Sequence, residues 1–156
     1  MHSKIFQVST EPIEKDARLS PIELYDNCGD FADYIGDEYH GDERLAKIQF
    51  LAKEFPDIFN IDGEVLIYKG LGNFVNDWIG SIREAAQNLT EENIFNDGNL
   101  YRVRHIVEDT HYRIFTRFYI NNWNCCPDPF GEFIGWLSRL DVGTRIYVGS
   151  VIDYHF

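Results

Sequence analysis

The sequence contains few cysteines and no long apolar run, and each shortage excludes a class of protein. Three cysteines in 156 residues, two of them adjacent, do not form the paired set of a small disulfide framework, so reduced thiols are predicted. No apolar run reaches the roughly 18 residues that a membrane-spanning helix needs. Lys4 interrupts an N-terminus that has no signal-like apolar stretch. These observations predict a cytoplasmic protein without membrane association.

Basic residues are also scarce. The chain has 14 Lys and Arg against 26 Asp and Glu, for a formal net charge of −12. This balance argues against general binding to nucleic acid or to anionic membranes. Residues 1–98 contain 20 acids and 8 bases, whereas residues 99–156 contain 6 of each. The excess negative charge therefore lies in the first two thirds of the chain, and seven of its acids fall in the segment 26–43.

Helix signals occur at four places along the chain. Ser20 and Glu23 flank Pro21 in the arrangement of a capping box, which predicts a short helix from Pro21. Apolar residues at helical spacing predict longer helices at 42–55, 74–89 and 130–140. The 74–89 segment keeps this period for four turns and is expected to be the main core helix.

Strand signals are β-branched and aromatic runs, which predict strands at 4–9 and 145–156, the second either kinked or folded into a hairpin. The turn pair Asp62-Gly63 predicts a hairpin between 58–61 and 64–69. Residues 90–99 fit either a short helix or a turn between two strands, and residues 24–41 are left unassigned. The chain is long enough for one domain over residues 1–156. The prediction is a single α+β domain, with an antiparallel or mixed sheet of about five or six strands and three or four packed helices.

Residues 100–107 and 111–120 are dense in β-branched and aromatic residues, which predicts a second hairpin with its turn at 109–110. With a two-residue turn, the period of two places four arginines and two aromatic residues on one face. The predicted ligand-binding residues are Arg102, Arg104, Arg113, Arg117, Phe115 and Tyr119. Arginines paired across strands repel each other unless an anion lies between them. The face therefore predicts an anion-binding site, a surface neutralised by the chain's own acids, or a sheet surface whose arginines are simply solvated.

Catalytic and metal signatures are missing from the rest of the sequence. Cys125 and Cys126 lie in no recognisable thiol-enzyme motif, and adjacent cysteines are poorly placed to bind one metal ion. The acidic segment 26–43 lacks the ligand spacing of a helix-loop-helix calcium loop. No cofactor and no metal site are therefore predicted.

Three hypotheses for the function remain open. The first is a non-catalytic binding domain that uses the Arg-aromatic face or the acidic segment 26–43 to hold a protein partner or a small anionic ligand. The second is a small hydrolase or transferase that acts on a phosphorylated substrate, with the arginines as clamps and a histidine or aspartate as base. The third is an acidic mimic of nucleic acid that occupies a basic protein. The sequence leaves the oligomeric state undetermined.

Overall fold

A computed structural model describes residues 2–28, 31–109, 115–121 and 125–155. Six strands form one mixed sheet in the order β3-β4-β6-β1-β5, and β2 pairs with the C-terminal half of β6. The strands are β1 (His2–Ser9), β2 (Tyr34–Glu38), β3 (Phe59–Asp62), β4 (Val65–Tyr68), β5 (Arg117–Ile120) and β6 (Arg145–His155). β1 and β5 are parallel, and the other pairs are antiparallel. For 145–156 the sequence predicted either one kinked strand or a hairpin, and the structure has the single strand β6.

Five α-helices and one 3-10 turn at Lys15–Ala17 complete the described fold. The helices are α1 (Pro21–Cys28), α2 (Gly41–Glu54), α3 (Phe74–Gln87), α4 (Asp97–Asp109) and α5 (Phe130–Leu137). The predicted fold class, a single α+β domain with a mixed sheet, is confirmed. The described residues form five α-helices where three or four were expected, because a segment assigned to a strand is helical.

The first face of the sheet carries the larger hydrophobic core. The register sets Phe6 of β1 opposite Phe118 of β5, so their side chains share this face. Helices α2 and α5 cover it with apolar side chains such as Ile48 and Phe133. The Phe118 and Phe133 rings stack with centroids 3.7 Å apart and planes 3° from parallel. This close packing makes the first face the rigid base of the fold.

A buried arginine ties α2 to the irregular part of β6. Arg44 is only 3% exposed, and its Nε donates a hydrogen bond to the Gly149 carbonyl at 2.7 Å. Its Nη2 donates to the Val148 carbonyl, and Nη1 lies 2.6 Å from the Glu64 carboxylate. A buried guanidinium is tolerated when its donors are satisfied in this way. We therefore assign Arg44 a structural role.

The second face carries a smaller core. Ile5, Ile152 and Tyr154 of the sheet pack against Leu19 and Leu24 from the segment that leads into and forms α1. The predicted start of α1 is confirmed by its reciprocal capping bonds. The Ser20 amide donates to the Glu23 carboxylate at 3.0 Å, and the Glu23 amide donates to the Ser20 hydroxyl at 3.2 Å. This capping helps α1 begin where its apolar side can reach the sheet.

Helix α3 begins where predicted and ends two residues early, at Gln87, but it does not have the predicted burial. Only Ala85 among its residues is buried, whereas α5 buries five. Phe74 and Trp78 contact the edge of the large core, and α3 also packs against α4. The expectation that 74–89 forms the main core helix is therefore wrong, and α2 and α5 fill that position. A strong helical period showed that the segment is amphipathic without showing how deeply it packs.

The predicted hairpin over 100–120 is wrong in its first half. Residues 100–107 belong to α4, while β5 confirms strand structure at Arg117–Ile120. Ile106 is buried toward α3, and Trp78 Nε1 donates to the Ile106 carbonyl at 2.6 Å. This contact between helices overrides the strand preference of the segment's β-branched residues. Strand β5 pairs in parallel with β1. Of the predicted turn at 109–110, Asp109 ends α4, whereas residue 110 and residues 111–114 lie outside the described residues.

Candidate functional site

A pocket of about 700 Å³ opens on the second face, where α1 ends. We call it the α1 pocket. Its walls combine two carboxylates, two aromatic rings and two sulfur atoms, from Tyr25, Asp26, Cys28, Phe31, Asp33 and Cys126. Most of these residues lie in or beside the acidic segment 26–43, which the sequence singled out as a candidate surface.

Two local interactions bring α1 and the Cys126 segment together. Leu24 is buried in the small core, which holds α1 against the sheet. Asp128 forms an antiparallel bridge with Phe118 of β5, with hydrogen bonds of 2.9 and 2.8 Å between their backbone groups. This bridge sets Cys126 beside the start of β5. Residues 98 positions apart in sequence thereby meet at one wall of the pocket.

Cys28 and Cys126 form a disulfide at this wall, with their Cα atoms 5.6 Å apart. The prediction of reduced thiols is therefore wrong for these two residues. An odd number of cysteines gave no pairing signal, and the partners come together only through the sheet. Cys125 is a free thiol and is exposed.

The free thiol lies close to the disulfide. Cys125 Sγ is 3.8 Å from Cys126 Sγ, which is van der Waals contact between sulfur atoms. The carbonyl oxygen of Cys125 is 3.0 Å from Cys28 Sγ on the other side of the bond. Cys28 is only 9% exposed. Of the two bonded cysteines, Cys126 is thus the more accessible from the solvent.

The carboxylates of the pocket and its Tyr25 ring are exposed to solvent, whereas Phe31 is half-buried. Asp26 and Asp33 are exposed, and Asp33 Oδ2 lies 3.7 Å from His155 Nδ1. Tyr25 is 67% exposed although it is a large aromatic residue. The Phe31 ring packs against the Tyr154 ring, with centroids 5.7 Å apart, which anchors it to the small core. The pocket therefore offers negative charge together with one fixed and one exposed ring.

Two of the predicted site residues lie on the second face of the sheet, and one of them borders the pocket. The parallel register sets Arg117 opposite Ile5 and Tyr119 opposite Gln7, so both side chains share the second face. Arg117 Cζ lies 5.4 Å from the centroid of the Phe31 ring, and Nη1 donates to the Pro127 carbonyl at 3.4 Å. The predicted Arg-aromatic face is therefore present in part, with its one described sheet arginine bordering the pocket.

The other predicted residues do not belong to that sheet face. Arg102 and Arg104 are exposed on α4, because the segment is helical rather than extended. Phe115 precedes β5, and its ring lies 6.4 Å from the His105 ring of α4. Arg113 lies outside the described residues. The premise of one shared face is wrong, and a ligand-binding role for these six residues stays a prediction.

A second polar cluster surrounds Asp153 at the end of β6. Its Oδ2 accepts from His2 Nδ1 at 2.8 Å, and its Oδ1 accepts from the Tyr39 hydroxyl at 3.2 Å. Burial and the adjacent Asp153 carboxylate raise the pKa of Tyr39. Burial and the charge of Lys47 lower the pKa of Lys4, against the opposing effect of Asp153. Both oxygens of Asp153 are thus occupied by groups of the protein itself.

Among the described residues, no group of three or more His, Cys, Asp or Glu side chains is arranged to hold a metal ion. Within the same part of the chain, no helix has both the length and the apolar character required to cross a membrane. The site must be interpreted from its own geometry, because comparison with protein-family models, characterised proteins and solved structures finds no match.

Proposed function

We propose that this protein is a non-catalytic binding domain, and that its α1 pocket holds a ligand bearing a positively charged amine or guanidinium group. One observation carries the proposal: the Asp26 and Asp33 carboxylates line the same pocket as the Tyr25 and Phe31 rings. The proposal keeps the binding-domain hypothesis from the sequence and assigns the binding role to the acidic segment 26–43 beside Arg117.

Carboxylates and aromatic rings attract cations by different physical effects. A carboxylate accepts charge-assisted hydrogen bonds from an ammonium or guanidinium group. The face of an aromatic ring carries negative charge density and attracts a cation that lies over it. Phe31 already interacts in this way with Arg117, whose guanidinium carbon lies 5.4 Å from the ring centroid. A ligand with a compact cationic end satisfies both kinds of group at once.

The small anionic ligand predicted from the sequence has less support. An anion entering the α1 pocket meets two carboxylates, and their repulsion opposes its binding. The arginines proposed as clamps for a phosphorylated substrate no longer share a face, because Arg102 and Arg104 lie on α4. The hydrolase or transferase hypothesis therefore lacks the clamp geometry on which it depended.

The cationic group has two sources with the same chemistry. It belongs either to a small free amine or to a lysine or arginine side chain of a basic protein partner. The second source corresponds to the hypothesis of an acidic protein that binds a basic one, which a net charge of −12 favours through long-range attraction. A cytoplasmic location, also predicted from the sequence, is compatible with either source.

Calorimetric titration tests the proposal with defined probes. The cations are agmatine, cadaverine and an acetylated, amidated tripeptide with a central arginine, and the anion is glucose 6-phosphate. We expect at least one cation to bind and the anion not to bind. Tighter binding of the tripeptide than of agmatine identifies a protein partner, and the reverse order identifies a small amine. In either case Asp33→Asn weakens binding by about tenfold, or about 1.4 kcal/mol, because one charge-assisted contact is lost.

Asp37→Asn is the matched control, since Asp37 is an exposed acid on β2 that does not line the pocket. It changes the net charge by the same amount, so binding through overall charge would respond equally to both variants. Equal weakening in the two variants, or binding of the anion alone, would overturn the proposal.

A further inference from the structure

We propose that Cys28, Cys125 and Cys126 form a thiol–disulfide exchange site, in which Cys125 is the nucleophile and the Cys28–Cys126 bond is its target. The inference does not rest on the proposed ligand, because it concerns only the connectivity of three sulfur atoms. The exchange would break and re-form the covalent link at the pocket wall without any other molecule.

The contact between sulfur atoms carries the inference. Thiol–disulfide exchange requires a thiolate to reach one sulfur of a disulfide. Cys125 Sγ is in contact with Cys126 Sγ at 3.8 Å, and it is exposed, so its proton can leave to solvent. Because Cys125 is next to Cys126 in the chain, the attacking thiol stays close to the disulfide, and no external thiol is needed.

The exchange balances without an outside oxidant or reductant. The Cys125 thiolate attacks Cys126 Sγ, a new Cys125–Cys126 bond forms, and the bond to Cys28 breaks. The electron pair of the broken bond leaves on Cys28 Sγ, which takes a proton from solvent in place of the one that Cys125 lost. The released thiol has a hydrogen-bond acceptor already in position, since the Cys125 carbonyl oxygen lies 3.0 Å from Cys28 Sγ.

The consequence is local to the α1 pocket. Cys28 is the last residue of α1, and Cys126 belongs to the segment that bridges to β5. Exchange removes the covalent link between these two parts, while Leu24 continues to hold α1 on the sheet. In the cytoplasm, where the sequence predicts this protein, disulfides are typically transient and redox-sensing, which suits a bond that its own neighbour can open.

Disulfide mapping of the purified, oxidised protein tests the proposal. The protein is incubated without added thiol at pH 7 and pH 8.5, and it is then trapped by acid and alkylated with N-ethylmaleimide. We expect peptides with alkylated Cys28 and a bonded Cys125–Cys126 pair to appear as a minor, constant fraction, which is reached faster at pH 8.5 because the thiolate is the reactive form. The fraction stays minor because the fold and the ordinary Cα separation both favour the Cys28–Cys126 bond. Cys125→Ser should slow alkylation of Cys28 by at least about tenfold, because a hydroxyl does not replace the thiolate.

Adding N-acetylcysteine to the Cys125→Ser variant provides the positive control, because an external thiol should restore labelling of Cys28 if the bond is intact and accessible. Labelling of Cys28 at equal rates in wild type and variant would overturn the proposal. So would wild-type protein in which Cys125 alone remains open to alkylation after prolonged incubation at pH 8.5.

Discussion

The two faces of the sheet are covered in different ways. The first face is covered by α2 and α5, and its aromatic side chains stack on one another around Phe118. The second face carries a small core around Ile5, to which the eight-residue helix α1 contributes Leu24. A disulfide links the end of α1 to the segment that bridges to β5.

Because of this difference, we assign most of the stability to the first face and ligand binding to the second face. A well-packed face has no room for a ligand, and it resists unfolding because its apolar side chains are removed from water. The α1 pocket lies at the end of the short helix α1, beside the smaller core. The disulfide compensates for the small apolar contact of α1, since a cross-link restricts the unfolded chain whatever the size of the core.

The largest expected effect comes from the first face. Phe133 is fully buried and stacks on Phe118. Phe133→Ala should lower the free energy of unfolding by about 3–5 kcal/mol, through lost burial and the cavity that remains. Denaturant titration measures the change. Phe95→Ala is the matched control, because Phe95 is 89% exposed, and it should change stability by less than about 0.5 kcal/mol. Similar losses in both variants would contradict the assignment of the core.

A smaller loss is expected from the cross-link on the second face. Cys28→Ser should lower the free energy of unfolding by about 2–4 kcal/mol, because the bond closes a long loop of the unfolded chain. Its control is wild-type protein unfolded in a reducing agent, which should lose the same amount. Denaturant titration serves again. If reduction leaves the midpoint of denaturant unfolding unchanged, the disulfide does not stabilise α1. The proposed difference between the two faces would then be wrong.

The smallest effect is a pH dependence at the polar cluster around Asp153. The raised pKa of Tyr39 means that the folded state keeps its proton above pH 10, where the unfolded state loses it. The contribution of protonated Tyr39 to the free energy of unfolding is therefore fully present below pH 10. It is lost as the pH rises through the pKa of Tyr39 in the folded state. Tyr39→Phe should show a shallower fall in melting temperature above pH 10 than the parent. Both proteins carry Cys125→Ser, so that thiol–disulfide exchange does not affect the measurement. Parallel curves of melting temperature against pH would contradict the expected effect.

Much of the fold was predictable because its signals are local. The capping residues Ser20 and Glu23 are adjacent to the helix that they start. The predicted hairpin of β3 and β4 forms with its turn one residue later than expected, at Gly63 and Glu64, and Gly63 has a φ of 61°. The strand β1 and the bounds of α2 and α3 follow from periodicity within a single segment. Such signals need no information about the rest of the chain.

The errors arose where distant contacts decide the structure. Residues 100–107 have strand propensity, yet packing of Ile106 against Trp78 stabilises a helix there. The disulfide joins cysteines 98 positions apart, and its partners meet only once β5 lies beside β1. For the site, the sequence identified Arg117 and the acidic segment 26–43 but gave no reason to place them together. Their juxtaposition depends on sheet order, which no local pattern encodes.

The location of bound ligand tests the central claim most directly. In a nuclear magnetic resonance titration with agmatine, backbone amide shifts identify the residues that respond to binding. The account predicts saturable shifts concentrated at Tyr25–Cys28, Phe31–Asp33 and Cys126, with little change on α3 and α4. Shifts spread over acidic residues on other surfaces, or none at millimolar agmatine, would contradict the proposal that the α1 pocket recognises a cationic group.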